Sequence, residues 1–143
     1  MSISLITFDL DDTLFDHQHS CRAGLAAVQK MFPEKLAGPI EQLESRYRSL
    51  LEQSHLQVLD GLLSIDESRV ERVEVLLSSS EGSADAEVAH AAAVSYRDAF
   101  NAAYRAVPGA VELLVLLRQH TRIGVITNHV VDEQLKKVAA IGI

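Results

Sequence analysis

A short apolar segment near the start of the chain, Leu-Ile-Thr-Phe, is followed closely by Asp9, Asp11, Asp12 and Thr13. In an extended segment alternate side chains share a face, so Asp9 and Asp11 are expected on one side of a strand, about 6 to 7 Å apart. Two carboxylates that close repel each other unless a cation or an electrophile lies between them. The pattern therefore indicates an oxygen-ligand Mg²⁺ site in which one carboxylate is a nucleophile and the other a proton donor.

A simpler interpretation of the same residues stays open, namely a strand that ends in an Asp-rich turn. Asp is common in turns and at helix starts. Asp12 is expected to accept hydrogen bonds from backbone N–H groups in this turn, and Asp16 is expected to cap the helix that follows. His17, His19 and His129 lie close to the polar segments in sequence, and each is expected to be a surface imidazole.

Three segments together resemble a known family. Residues 9–16, Asp-Leu-Asp-Asp-Thr-Leu-Phe-Asp, are similar to the first motif, Asp-x-Asp-x-Thr, of the haloacid dehalogenase-like (HAD) hydrolase superfamily, in a form common among its phosphatases. A second apolar segment ends in Thr127-Asn128, similar to the family's second motif. Between them, Pro108-Gly109 resembles the helix start at which the family's chain re-enters its core. The three matches occur in the family's order.

The resemblance implies an α/β fold, in which an all-α helical-bundle cap is inserted into a Rossmann-like HAD core. The family calls such an insertion a C1 cap. On this basis residues 1–14 and 108–143 form the core, which is incomplete in this chain. Residues 15–107 form the helical cap over the active site.

Apolar periodicity independently predicts helices throughout the inserted stretch. One helix ends before Pro33, and a second begins at Pro39. Ser64 and Glu67 have the spacing of a capping box at the start of a third. The Ala-rich residues from about 84 to 106 are expected to form the longest helix.

The resemblance also implies a role for each site residue. Asp9 would attack phosphorus and form an aspartyl-phosphate. Asp11 would protonate the leaving alcohol and then activate water, roles that favour a pKa raised by Asp9. Mg²⁺ would bind one oxygen of Asp9 and the backbone carbonyl of Asp11. Thr127 and Asn128 would bind the phosphoryl group at the start of the next helix, although simple helix capping is the alternative for both.

Asp11 also discriminates between branches of the family. Enzymes that displace halide expel an anion that needs no proton, and that branch typically lacks the second Asp. Its presence here favours phosphoryl transfer.

Composition limits the possible partners. The 143 residues, 48% of them hydrophobic, could bury one sizeable core, and the formal charge of -7 argues against a surface for polymeric nucleic acid. A small phosphorylated substrate stays compatible, because bound Mg²⁺ reverses the local field. The single Cys21 cannot form an intramolecular disulfide, no charged leader precedes Ile3, and the most apolar helix candidate is too short to span a bilayer. We therefore expect a cytoplasmic protein without membrane association.

Two expected features of the family cannot be assigned. Its third motif, a Lys, and its fourth, an acidic pair, normally follow the second motif after further strands and helices. Lys136 and Lys137 lie on a helix that is expected to lead away from the site, and no acidic pair follows them. We therefore expect these residues to be a fragment that is truncated after the second motif.

Two functions stay open. The first is a Mg²⁺-dependent phosphomonoester hydrolase that acts on a nucleotide or sugar phosphate, because residues 107–143 most resemble the branch of pyrimidine nucleotidases and sugar phosphatases. The second is a catalytically incomplete fragment or relative that acts only through binding or assembly. Self-association through an exposed sheet edge would then be possible.

Overall fold

A computed structural model describes residues 3–79 and 82–143 as a mixed α/β chain, which confirms the predicted fold class. In this part of the chain, strands β1 (Leu5–Phe8) and β2 (Arg122–Val125) form a parallel two-stranded sheet. The helices are α1 (His17–Met31), α2 (Ile40–Leu59), α3 (Ile65–Leu77), α4 (Ala86–Ala102), α5 (Ala110–Leu117) and α6 (Val131–Ala140). None of the helices in the described ranges combines the length and the apolar character that crossing a membrane requires.

The chain divides into two compact units. The α/β unit contains residues 3–20 and 103–143, and the helical unit contains residues 21–102. The predicted domain limits, and the role of the helical unit as a cap, stay predictions.

The α/β unit is organised around the sheet. β1 and β2 pair in register, from Leu5 opposite Arg122 to Phe8 opposite Val125. The buried residues of this unit's core are Leu10, Leu14, Phe15, Ala110, Leu114 and Ile141. Gly109 has a φ of +82° and is the N-cap of α5, which confirms the predicted Pro-Gly helix start, since a residue with a side chain rarely adopts this conformation.

The helices of the helical unit follow local signals, with one correction. Ser64 and Glu67 form the predicted capping box, with both reciprocal hydrogen bonds present. The prediction that the Ala-rich helix is the longest is wrong, because α2 has 20 residues and α4 has 17. α4 begins two residues later than predicted, because the Asp85 side chain accepts the N–H groups of Glu87 and Val88, and it ends at Ala102, four residues earlier than predicted.

Aromatic packing fixes α1, α2 and α4 within the helical unit. The ring centroids of Tyr47 and Tyr96 lie 5.0 Å apart, and those of Tyr96 and Phe100 lie 5.9 Å apart. A Cβ atom on Gly24 would lie only 2.7 Å from carbon atoms of the Tyr96 ring. Glycine at this position of α1 therefore permits the close approach of α4.

Candidate active site

Both strands of the sheet end at the same edge, and the predicted site residues follow these ends. Beyond the last paired residues, the N–H of Ile126 donates to the carbonyl oxygen of Phe8 at 2.9 Å. Asp9 follows Phe8 in the chain, and Thr127 follows Ile126. Because the strands are parallel and in register, the two polar segments begin at one edge of the sheet.

The carboxylate of Asp11 is the most connected group at this edge. Its Oδ1 accepts a hydrogen bond from Nζ of Lys137 at 2.7 Å, and its Oδ2 accepts one from Nε2 of Gln134 at 2.9 Å. Nδ1 of His17 lies 3.6 Å from Oδ1. The side chain of Lys137 is 5% exposed and that of Asp11 is 26% exposed, so salt and solvent weaken this ion pair less than a surface pair.

Opposing effects act on the pKa of Asp11. Burial raises this pKa, whereas the charge and hydrogen bond of Lys137, the hydrogen bond of Gln134 and the charge of His17 lower it. The lowering effects prevail, and the pKa of Asp11 lies below its ordinary value of 3.8. The expectation of a pKa raised by Asp9 is therefore wrong for this arrangement. Asp11 is ionised at neutral pH.

Lys137 was predicted to lie on a helix that leads away from the site, and this prediction is wrong. Gln134 and Lys137 are three residues apart in α6 and share a face, and both reach Asp11. Val131 and Leu135 are instead 66% and 60% exposed. The buried face of α6 is polar here because its Gln134 and Lys137 side chains donate hydrogen bonds to the carboxylate of Asp11. A Gln-x-x-Lys spacing after the second motif is the sequence signal that could have identified both residues.

Gln134 also connects Asp11 to Thr127. Nε2 of Gln134 donates to Oγ1 of Thr127 at 2.6 Å. Since Oγ1 accepts this hydrogen bond, the hydroxyl proton of Thr127 is available to donate to another oxygen. Asn128 is exposed, and its side chain makes no hydrogen bond with the described residues. Neither residue caps α6, whose N-cap is Val130 without a side-chain hydrogen bond, so the helix-capping alternative is wrong.

Asp9 has different surroundings from Asp11. Its residue is exposed, and within residues 3–79 and 82–143 its carboxylate takes part in no hydrogen bond or ion pair. An exposed carboxylate of this kind is accessible to a metal ion or an electrophile. The structure thus connects Asp11 and Thr127 through Gln134 and leaves Asp9 and Asn128 outside this network.

The remaining polar residues of the first motif support the start of α1. Oδ1 of Asp12 accepts the N–H of Gln18 at 2.9 Å, and Oδ1 of Asp16 accepts the N–H of His19 at 3.1 Å. The prediction that Asp16 caps this helix is confirmed, whereas Asp12 accepts a backbone N–H of α1 and not one of its own turn. His17 was expected at the surface, but it is half-buried beside Asp11, and that prediction is wrong.

The donor set fits Mg²⁺ as an open site with few protein ligands. Among the described residues no three His, Cys, Asp or Glu side chains are grouped so that they could hold a metal ion. Mg²⁺, however, commonly takes one or two protein ligands and completes its shell with water and substrate oxygens. Asp9 offers a carboxylate, and no backbone N–H of the described residues donates to the carbonyl oxygen of Asp11. Asp9 could therefore bind the ion through its side chain and Asp11 through its main chain.

Comparison with protein-family models and with curated proteins gives no match. Among solved structures, the chain is similar to the HAD-hydrolase YfnB from Bacillus subtilis bound to magnesium, with a TM-score of 0.69 and 22% identity over 99% of this chain and 60% of that one. It is also similar to the defluorinating L-2-haloacid dehalogenase Rha0230, with a TM-score of 0.66 and 18% identity over 99% of this chain and 57% of that one. The chain thus spans less than two thirds of either neighbour. Its fold is that of part of a HAD core with an inserted helical region.

Proposed function

We propose that this chain carries the catalytic aspartates of a Mg²⁺-dependent phosphomonoester hydrolase. The enzyme would act through an aspartyl-phosphate on a small phosphorylated metabolite, a nucleotide or a sugar phosphate. The contrast between Asp9 and Asp11 supports this proposal most directly. Asp9 is exposed, as a nucleophile must be, whereas Asp11 is held as a carboxylate by Lys137 and Gln134. The HAD-like fold and the magnesium in the YfnB structure agree with the proposal.

In the first step Asp9 accepts the phosphoryl group. A carboxylate oxygen of Asp9 forms a bond to phosphorus while the bond from phosphorus to the ester oxygen breaks, and the leaving oxygen takes a proton. Thr127 donates its hydroxyl proton to a phosphoryl oxygen, because its Oγ1 already accepts from Gln134. Bound Mg²⁺ would reduce the repulsion between the carboxylate and the phosphate.

Lys137 connects phosphate binding to the protonation of Asp11. A phosphate dianion competes with Asp11 for the ammonium group of Lys137. If Lys137 turns toward the phosphate, Asp11 loses the strongest interaction that lowers its pKa, and burial then raises the pKa. Asp11 can then carry the proton that the leaving alcohol needs. As a carboxylate it takes a proton from the water that attacks the aspartyl-phosphate, so the same group acts as acid and then as base.

Hydrolysis of p-nitrophenyl phosphate, with and without Mg²⁺, tests the proposal. We expect metal-dependent turnover in the wild type and a loss of at least about 10³-fold in kcat/KM for Asp9→Asn, which removes the nucleophile. Asp132→Asn is the matched control, because Asp132 is exposed on α6 and has no place in the proposed chemistry. It should keep wild-type activity. Equal activity in Asp9→Asn and the wild type would contradict the assigned nucleophile.

A dehalogenase with a similar fold makes a second assay useful. Halide release from a 2-haloacid, measured on the same preparations, would indicate displacement at carbon. We expect none, because Asp11 is suited to proton transfer and halide leaves without a proton. Halide release without phosphatase activity would replace the proposal.

A catalytically incomplete chain that acts through binding or assembly is the alternative if neither assay gives turnover. The surface of the α/β unit favours this alternative, since Val115, Leu116 and Ile126 are 52%, 61% and 64% exposed. The short sheet also offers unpaired strand edges. Sedimentation velocity over a range of concentrations would detect self-association through such an edge.

A further inference from the structure

Arg72, on α3 of the helical unit, buries a positive charge among uncharged groups. The residue is 7% exposed. Its Nε donates to the hydroxyl of Tyr47 at 3.1 Å, and its Nη1 donates to Oγ of Ser54 at 2.8 Å and to Oγ of Ser68. Its guanidinium carbon lies 5.2 Å from the centre of the Tyr47 ring. Within the described residues no carboxylate pairs with this guanidinium.

Other arginines of the same unit do have carboxylate partners. Arg69, also on α3 and 8% exposed, donates to Oδ1 of Asp66 at 2.6 Å. Arg22 donates through Nε and Nη2 to the two carboxylate oxygens of Glu44, at 2.8 and 2.7 Å. A guanidinium stays protonated in proteins, and a buried charge without a counter-charge is costly. Arg72 therefore lacks a form of compensation that its neighbours have.

Arg72 lines a surface pocket of about 200 Å³ whose other lining residues lie on α2 and α3. Gln53, Ser54 and Gln57 line it from α2, and Glu71 lines it from α3. This volume holds several water-sized groups, at about 30 Å³ each. The hydrogen bonds of Arg72 use Nε and Nη1, so its Nη2 is the nitrogen that no described residue binds.

We propose that this pocket binds a small tetrahedral oxyanion of the phosphate or sulfate class. Nη2 of Arg72 is the principal donor, and the side-chain amides of Gln53 and Gln57 supply further N–H groups. The two N–H groups of Nη2 can both donate to such an anion, which would provide the missing counter-charge. Glu71 opposes the anion and limits its affinity. The site lies within the helical unit and does not depend on the proposed phosphatase activity.

The test uses the full chain labelled with ¹⁵N and follows the Nε–Hε signals of its arginines without Mg²⁺. Sodium sulfate and sodium phosphate are titrated separately, with sodium chloride at matched ionic strength as the control. We expect a saturable shift of the Arg72 signal with the oxyanions and none with chloride. Glu71→Gln should lower the Kd severalfold, because it removes a negative charge from the pocket lining. Glu34→Gln, the same charge change on an exposed residue outside the pocket, should leave the Kd unchanged.

Arg72 is not substituted in this experiment. The outcome therefore does not depend on whether a variant with a changed buried residue still folds. Saturation by both anions supports the proposal as stated, and saturation by phosphate alone narrows the ligand to phosphate. A shift that does not saturate, or one that Arg22 and Arg69 share equally, would overturn the proposal. Equal affinities in Glu71→Gln and Glu34→Gln would overturn it as well.

Discussion

Lys137 in the α/β unit and Arg72 in the helical unit are both buried cations, and their charges are compensated differently. In the α/β unit the ammonium of Lys137 donates to a carboxylate, that of Asp11. In the helical unit the guanidinium of Arg72 donates to the hydroxyl groups of Tyr47, Ser54 and Ser68. Hydroxyl groups solvate a charge but cannot neutralise it. The α/β unit therefore balances the charge of Lys137 internally, whereas Arg72 has no carboxylate partner among the described residues of the helical unit.

This difference has an energetic consequence. The members of a buried ion pair depend on each other, because removing one leaves the other buried and unpaired. A hydroxyl contributes only one hydrogen bond among several to the Arg72 guanidinium, so its loss should cost less. Substitutions at the two sites should therefore differ in size and in pH dependence.

Asp11→Asn should have the largest effect on stability. It leaves the ammonium of Lys137 buried without its anion, and we expect a loss of about 2 to 3 kcal/mol in the free energy of unfolding. Urea unfolding followed by circular dichroism measures this loss. Asp132→Asn, an identical substitution at an exposed position of α6, should change stability by less than about 0.5 kcal/mol.

A double-mutant cycle with Lys137→Met examines whether the ion pair is the cause. Asp11 is partly exposed, so water can hydrate its carboxylate after the lysine is removed. Lys137→Met alone should therefore lower the free energy of unfolding by less than Asp11→Asn does, by about 1 to 2 kcal/mol. The double variant should lose less than the sum of the single variants, because both remove one interaction. Additive losses would contradict a direct interaction between the two side chains.

The local structure could be predicted from the sequence because its determinants are close together in the chain. The capping box of Ser64 and Glu67 spans four residues, and Gly109 alone supplies the positive φ that starts α5. The position of Asp9 after the first strand follows from an apolar segment that ends at Phe8. Each of these features needs no knowledge of distant residues.

The surroundings of Asp11 could not be predicted in this way. Lys137 is 126 positions from Asp11 in the sequence, and Gln134 is 123 positions away. Hydrophobic spacing in α6 favours a buried face that contains Val131 and Leu135. The structure places Gln134 and Lys137 on the buried face instead, where both donate to the partly buried carboxylate of Asp11. The pairing of β1 with β2 and the shared core of Leu14, Phe15 and Ile141 bring these distant segments together.

Arg72 shows the same limitation in the helical unit. It precedes Val73, which is fully buried, and nothing in the helical pattern of α3 indicates that a charged neighbour is also buried. Its hydroxyl partners Tyr47 and Ser54 lie on α2, 25 and 18 positions earlier. A sequence pattern records which residues are apolar, but it does not record which polar residues receive partners inside a bundle.

Ser54→Ala should have a smaller effect than Asp11→Asn. It removes one acceptor of the Arg72 guanidinium, and we expect a loss of about 1 to 2 kcal/mol in the free energy of unfolding. Ser49→Ala is the matched control, because both hydroxyls lie on α2 and donate to a carbonyl of the preceding turn, but Ser49 is exposed. That control should be neutral or stabilising by up to about 0.5 kcal/mol, since alanine is the better helix former. Equal losses by urea unfolding would show that the buried network contributes nothing.

The smallest expected effect is a pH dependence that distinguishes the two sites. Burial raises the pKa of Asp11, but the lowering by Lys137 and Gln134 is larger in total. The folded-state pKa therefore lies below the ordinary 3.8. A carboxyl group of this kind contributes stability that is fully present above its unfolded-state pKa and is lost as the pH falls through the folded-state pKa. The difference in unfolding free energy between wild type and Asp11→Asn should therefore be constant near neutral pH and should shrink below about pH 4.

The hydroxyl and guanidinium groups around Arg72 do not change charge in this range, so the difference between wild type and Ser54→Ala should stay constant with pH. Urea unfolding of the three proteins at several pH values between about 7 and 3 measures both differences under the same conditions. If both differences shrank together, low pH would be destabilising the whole chain, and the effect could not be assigned to the ion pair of Asp11 and Lys137. If neither shrank, Lys137 would not be stabilising the ionised form of Asp11, and the contrast between a balanced and an unbalanced buried charge would lose its electrostatic basis.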